Sequence, residues 1–201
     1  MGIGILGGSF DPIHLGHLAI AADVADAFAL DRVLFVPTNR SPLRSPPTVP
    51  PAERRRMCEL ATADNPLFEM SSVELNRPPP SYTLDTIAEV REHHPGQELT
   101  IIVGADLAEE LEDWRQIEEL LATVRMVVVQ RPGAVERDLH ALAESLGVGS
   151  DRLQRHRTAG LEISSTDIRS RIAAGRPYRY YLHPSVWSHI EKFELYGGSE
   201  K

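Results

Sequence analysis

Residues 1–27 read MGIGILGGSFDPIHLGHLAIAADVADA. IGILG is a short apolar run of strand type, and HLAIAADVADAFA carries apolar residues at helical spacing. Between them stand Gly7, Gly8, Ser9, Phe10 and Asp11, then His14 and His17. A strand, a polar corner and a helix in that order form the first half of a βαβ unit. The corner admits four readings: a dinucleotide cradle, a metal site, a hydrolase nucleophile turn or a phosphate grip.

The alternation continues along the chain. RVLFVPT, LTIIVGAD and RMVVVQRPG predict further strands, FEMSSVEL is strand-like, and LEIS predicts a strand leading into a capped helix, STDIRSRIAAG. ERRRMCELATA, SYTLDTIAEVREHH with a serine cap, DWRQIEELLATV, VERDLHALAESLG and PSVWSHIEKFELY predict helices. This pattern predicts an α/β fold, a parallel sheet with helices on both faces. The expected organisation is one domain over 1–201, with a small C-terminal helical part from about 163 to 201. Such sheets bind ligands beyond the carboxyl ends of their strands. That rule selects Gly7–His17, Thr38–Arg44, Gly104–Asp106, Arg131 and Ser164–Arg169, all polar and all following strands. The proline-rich stretch NRSPLRSPPTVPP, residues 39–51, reads either as a stiff surface loop or as a mobile arm carrying positive charge.

Composition narrows the classes. Apolar residues make up 42% and charged residues 25%, ordinary for a globular protein. The single cysteine, Cys58, excludes an internal disulfide framework and sits in a helical pattern as a half-buried thiol. No basic segment precedes the first apolar run, and no stretch approaches the ~20 apolar residues of a membrane span. The expected location is cytoplasmic, with no membrane partner. A formal charge of −8 argues against nucleic acid as a partner. It leaves room for a small anion in a local basic pocket built from Arg40, Arg44, Arg131 and Arg169.

Spacing sorts the four readings. Gly2, Gly4 and Gly7 fit G-x-G-x-x-G, but the glycines lie inside the strand instead of after it. Gly7-Gly8-Ser9-Phe10-Asp11 breaks the hydrolase elbow at its last position. Asp11, His14 and His17 are close enough to share a metal, yet no further ligand is indicated. The phosphate reading uses the whole corner. A glycine pair lets backbone approach an anion, the helix N-terminus offers free N–H groups and partial positive charge, and histidines donate to phosphate oxygens.

GGSFDPIHLGHL resembles the GG-[ST]-FDP-x-H-x-GH signature of the adenylyltransferase branch of the HxGH nucleotidyltransferases. A second signature of that superfamily matches ISSTDIRSRI, residues 163–172. PSYTLDT (80–86), IIVGAD (101–106) with the DW-R after it, and VVVQRPG (127–133) are similar to bacterial nicotinate mononucleotide adenylyltransferases. The resemblance covers nearly the whole chain. It implies a Rossmann-like fold of the HUP (adenine nucleotide alpha-hydrolase) type. It also implies adenylyl transfer from ATP to nicotinate mononucleotide with magnesium, giving deamido-NAD and pyrophosphate. One element departs: Ser41-Pro42-Leu43-Arg44 stands where the family often has Pro-Pro-His-Lys or Pro-Pro-His-Arg.

The resemblance assigns His14 and His17 to the ATP phosphates, as stabilisers of charge and not as bases. Gly7, Gly8, Ser9 and Phe10 form the wall of the phosphate site. Asp11 is as well suited to holding the turn. Ser164, Ser165, Thr166 and Arg169 form a second grip. An arginine in the first turn of a helix is disfavoured unless an anion is near, which argues for phosphate beside Arg169. Gly104 and Asp106 fall by the ATP ribose, although Asp106 could equally cap LAEELED. On the acceptor side the resemblance maps Tyr82, Thr83 and Arg115 to the nicotinate carboxylate. Trp114 is a flat face for the pyridinium ring or a core tryptophan. Asn39, Arg44 and Arg131 are candidates for the acceptor phosphate. His93, His94, His140, His156, His183 and His189 have no partner spacing and no assigned role.

Alternatives stay open: an adenylyltransferase for nicotinamide mononucleotide or pantetheine phosphate, a nucleotide-binding regulator without turnover, or a metal-dependent phosphohydrolase. A homodimer is compatible with the chain.

Overall fold

The structure is a computed structural model describing residues 2–42, 44–108, 110–130, 137–158 and 161–197, with the backbone alone for Asp106. Strand β1 (Gly2–Gly8) leads to helix α1 (Leu15–Ala27), β2 (Arg32–Pro37) to α2 (Pro51–Thr62), and β3 (Phe68–Met70) to α3 (Thr83–His93). Strand β4 (Glu98–Gly104) runs directly into α4 (Ala105–Ala108), followed by α5 (Ile117–Thr123). Then come β5 (Arg125–Gln130), α6 (Leu139–Ser145), β6 (Leu153–Arg157), α7 (Ser165–Ala173) and α8 (Pro184–Lys192).

The strands form one six-stranded sheet in the order β3-β2-β1-β4-β5-β6. Every pairing is parallel. Chain order reverses between β1 and β4, so the carboxyl ends of those strands open a crevice at the switch point.

Alternation along each strand divides the core in two. Ile3, Ile5, Leu34, Val36, Ile101, Met126 and Val128 face α3, α5 and α6. Leu6, Val33, Phe35, Ile102, Val127 and Val129 face α1, α2, α7 and α8. Both faces are covered, which is why the strands read as unbroken apolar runs. Gly4 belongs to the second face. A Cβ there would meet Leu30 Cδ1 at 2.9 Å, Ile102 Cδ1 at 3.1 Å and Val33 Cγ2 at 3.2 Å. The glycines of the false dinucleotide fingerprint therefore include one that serves packing.

Several expected elements differ. LEIS is not a strand: 161–164 are irregular, and the sixth strand is Leu153–Arg157. Its sequence, LQRHR, has little apolar content because it is an edge strand held by its pairing with β5. FEMSSVEL yields only three strand residues. Helix α3 is preceded by Tyr82 with no side-chain cap, so Ser81 does not cap it. DWRQIEELLATV is interrupted by Gln116 at φ +53, and α5 starts after it. The helix expected from VERD begins at Leu139, where Asp138 accepts from the N–H groups of His140 and Ala141. No helix among the described residues is long and apolar enough to cross a membrane.

Candidate active site

The corner after β1 lies at the switch point. Gly7 has open space where a Cβ would stand, while Gly8 faces the Phe10 ring. Phe10 is buried and adopts φ +47, a left-handed conformation that costs a non-glycine residue free energy. Its ring meets His17 edge-on at 5.0 Å and Phe35 at 5.9 Å.

His14 occupies the N-cap position of α1. His17 Nδ1 accepts a hydrogen bond from the His14 backbone N–H at 3.2 Å. An accepting Nδ1 assigns the neutral ring's proton to Nε2, so His17 is set up as a donor at that atom. The two imidazoles stack with centroids 3.7 Å apart. Gly16 makes this stack possible, because a Cβ there would lie 3.0 Å from His14 Nδ1 and 3.1 Å from Cε1. The H-x-G-H spacing therefore has a steric cause as well as a chemical one.

Asp11 holds the corner. Its carboxylate, 3% exposed, accepts from the N–H of Thr48 at 2.6 Å, of Val49 at 3.3 Å and from the Tyr196 hydroxyl at 2.9 Å. Those bonds tie the proline-rich stretch and the C-terminal segment to the loop before His14. Asp11 thus has the turn-holding role. Among the described residues, no group of three His, Cys, Asp or Glu side chains is arranged to hold a metal, and Asp11, His14 and His17 form no ligand set.

The second signature docks directly on the first. Ser164 caps α7 by accepting from the Asp167 N–H at 3.0 Å. The Ser165 hydroxyl donates to the Pro12 carbonyl at 2.9 Å. Arg169 donates to the Asp11 carbonyl at 2.6 Å and to the Thr166 hydroxyl at 3.2 Å, and lies 3.8 Å from the Asp11 carboxylate. The anion beside Arg169 in the structure is therefore Asp11. Arg169 is the fifth residue of α7, past the first turn where it was expected, so its position in the helix does not by itself require a phosphate.

Two buried ionisable residues of the site were not foreseen. Arg54 is fully buried and donates to the carbonyls of Ser9 at 2.8 Å, Thr38 at 2.7 Å and Asn39 at 3.5 Å. It clamps the ends of β1 and β2 together. Desolvation lowers its pKa, opposed first by the charge of Asp11. The signal was present in the sequence: Arg54 shares the apolar stripe of Met57, Cys58 and Ala61, at helical spacing. Glu74 is also buried and accepts from Thr86 Oγ1 at 2.8 Å. Burial raises its pKa, against hydrogen bonds from Thr86, Ser81 and Thr38 and the charge of Arg77. Nothing in its local sequence pointed to this role.

On the acceptor side, Tyr82 is the N-cap residue of α3 and Thr83 its first residue. The Arg115 guanidinium lies 4.8 Å from the centre of the Tyr82 ring and 3.9 Å from Asp85. Trp114 follows a single 3-10 turn over Leu111–Asp113 and packs, half-buried, on the second core cluster. Its Nε1 is buried without a hydrogen-bond partner. Asn39 donates to the Arg77 carbonyl at 2.9 Å, and the Ser81 N–H to the Arg40 carbonyl at 2.9 Å, so the loops after β2 and before α3 are fastened together. Arg44 pairs with Glu110 at 3.4 Å, joining the proline-rich stretch to the segment after β4. Gly104 ends β4 beside Val129, and Asp106 falls within α4, where it cannot be the residue preceding a helix. Leu43, Arg131 and the Asp106 side chain lie outside the described residues.

The profile of the cytidylyltransferase-like family matches residues 5–171. A protein of Roseiflexus sp. (strain RS-1), described as "Probable nicotinate-nucleotide adenylyltransferase", is 49% identical over 96% of this chain and 97% of its own length. A protein of the same description from Corynebacterium kroppenstedtii is 42% identical over 96% of this chain and 90% of its own. Among solved structures, the Plasmodium falciparum nicotinic acid mononucleotide adenylyltransferase complexed with NaAD matches the fold with a TM-score of 0.78 at 19% identity, covering 100% of this chain and 99% of that one. The chain belongs to the nicotinate-nucleotide adenylyltransferases within the cytidylyltransferase-like family.

Proposed function

We propose that the protein transfers the adenylyl group of ATP to nicotinate mononucleotide, releasing pyrophosphate and forming deamido-NAD. The observation that carries this reading is the docking of α7 on the first corner, through Ser165 on the Pro12 carbonyl and Arg169 on the Asp11 carbonyl. It brings both signatures together at the switch point, which supports a single face for the phosphates.

An oxygen of the acceptor phosphate attacks the α-phosphorus of ATP in line. The new P–O bond forms as the bond from that phosphorus to the bridging oxygen of pyrophosphate breaks. The attacking phosphate is already ionised near neutral pH, so no base is required. The protein's task is alignment and neutralisation of charge. In this reading His17 donates from Nε2 to the α-phosphate, and His14 lies beside it on the same nucleotide. The open backbone at Gly7, with Gly8, Ser9 and Phe10 beside it, admits the triphosphate. Ser164, Ser165, Thr166 and Arg169 hold its far end, and Gly104 and Asp106 flank the ribose. Tyr82, Thr83, Trp114 and Arg115 receive the nicotinate ring and carboxylate, with Asn39, Arg44 and Arg131 toward the acceptor phosphate.

Magnesium enters this scheme as part of the MgATP substrate. The described residues offer no cage of their own, and magnesium bound through phosphate oxygens and water needs few protein ligands. We place the reaction in the cytoplasm, with the ATP pool, and within one chain, whether or not it dimerises.

The test is pyrophosphate release from MgATP with nicotinate mononucleotide, nicotinamide mononucleotide or pantetheine phosphate, and with CTP replacing ATP. Release strongly favouring ATP and the acid is expected. Equal use of acid and amide would remove the carboxylate pocket from this scheme. No release with any pair would leave a nucleotide-binding protein without turnover.

A further inference from the structure

Tyr196 is 185 residues from Asp11 in sequence, yet its hydroxyl donates to Asp11 Oδ1 at 2.9 Å. It reaches there from the turn after α8 with its own backbone at φ +67, a conformation disfavoured for a large side chain. Its ring packs against the core cluster that includes Phe10 and Ile13. Burial, together with the neighbouring Asp11 charge, raises the phenol's pKa, so the group stays a donor.

The geometry gives this bond a specific consequence. Tyr196 and the Val49 N–H occupy Oδ1 of Asp11. Oδ2 then faces the Thr48 N–H at 2.6 Å and the Arg169 guanidinium at 3.8 Å. Arg169 also donates to the Asp11 carbonyl at 2.6 Å, so the placement of Asp11 as a whole, backbone and carboxylate, bears on where Arg169 rests. Two of the remaining bonds come from Thr48 and Val49 in the proline-rich stretch. Tyr196 arrives from a separate part of the chain and can hold the carboxylate independently of that stretch.

We propose that Tyr196 is a positioning residue for ATP: through Asp11 it sets the Arg169 guanidinium and the loop leading to His14. This rests on the reading that Arg169 and His14 face the nucleotide. The chemistry needs no proton from the phenol. The donated hydrogen bond fixes a carboxylate that would otherwise turn with its other partners.

The test compares the full-length wild type with Tyr196→Phe, which keeps the ring and removes the hydroxyl. The expected result is a rise in KM for ATP of about tenfold, the scale of one hydrogen bond to a charged group. KM for nicotinate mononucleotide stays within about twofold of wild type, and calorimetric titration with MgATP shows the same weakening without turnover. Phe193→Ala is the control, since Phe193 is exposed on the same terminal segment and contacts His189. An unchanged ATP affinity in Tyr196→Phe, with only a lower melting temperature, would overturn the proposal. So would an equal loss in Phe193→Ala, or equal weakening toward both substrates. A wild type that binds MgATP but releases no pyrophosphate would sink the catalytic reading instead, leaving the titration to decide the role of Tyr196.

Discussion

The backbone N–H of His14 donates to Nδ1 of His17 at 3.2 Å, across the first turn of α1. One bond satisfies an N–H at the start of a helix and directs the imidazole proton to Nε2. His17→Ala is expected to lower kcat by about a hundredfold or more, the scale for loss of a donor to developing charge. The lost cap costs about 1 kcal/mol of stability. Steady-state kinetics and urea unfolding read the two effects separately, and turnover within about tenfold of wild type would remove His17 from the reaction.

Gly16→Ala separates stability from activity. Alanine is favoured over glycine inside a helix by about 1 kcal/mol. Its Cβ, however, would press on His14 at 3.0 Å, inside ordinary contact distance. The melting temperature should hold or rise while kcat/KM falls by about tenfold or more through displacement of the ring. Retained activity would show that the stacked histidine geometry is not needed.

Arg54 is a structural clamp whose loss is severe. Arg54→Leu leaves the Ser9 and Thr38 carbonyls without their donor and removes one of the positive charges near Asp11, Arg169 being the other. The expected cost is about 3 kcal/mol or more in urea unfolding. A variant as stable as wild type would mean that water or a shifted loop replaces the guanidinium.

Trp114→Leu tests the acceptor side. Leucine preserves apolar contact with the core cluster but removes the aromatic face. KM for nicotinate mononucleotide should rise about tenfold, the scale of a desolvated cation–π contact. KM for ATP should not move. An unaltered acceptor KM would make Trp114 a packing residue only.

Glu74 predicts a pH dependence of stability. Its carboxyl pKa is raised by burial from an ordinary value of 4.5. A carboxyl that holds its proton more tightly when folded contributes stability that is full below the unfolded value. That contribution is lost as the pH rises through the folded one. Glutamine mimics the protonated form at every pH. The difference in urea midpoint between Glu74→Gln and wild type should therefore shift toward the variant as the pH rises above the ordinary carboxyl value of 4.5. A difference that stays flat would mean that hydrogen bonds from Thr86, Ser81 and Thr38 fully offset the burial.

Periodicity was enough to predict the parallel α/β sheet and the place of the corner at a strand's carboxyl end, and the resemblance associated GGSFDPIHLGHL with ISSTDIRSRI. These are local or one-dimensional properties: alternating apolar residues, a cap, a glycine beside a histidine. The strand order that makes this end a switch point came only with the fold. Strand β6 escaped because LQRHR owes its extended form to β5 and not to its own apolar content. The work of Asp11, Arg54, Glu74 and Tyr196 was decided only in three dimensions. A buried charge is tolerable only where partners surround it, and here they come from segments as distant as Thr48, Arg169 and Tyr196. Spacing identifies which residues can meet a phosphate, but only the folded chain determines which of them are already engaged with one another.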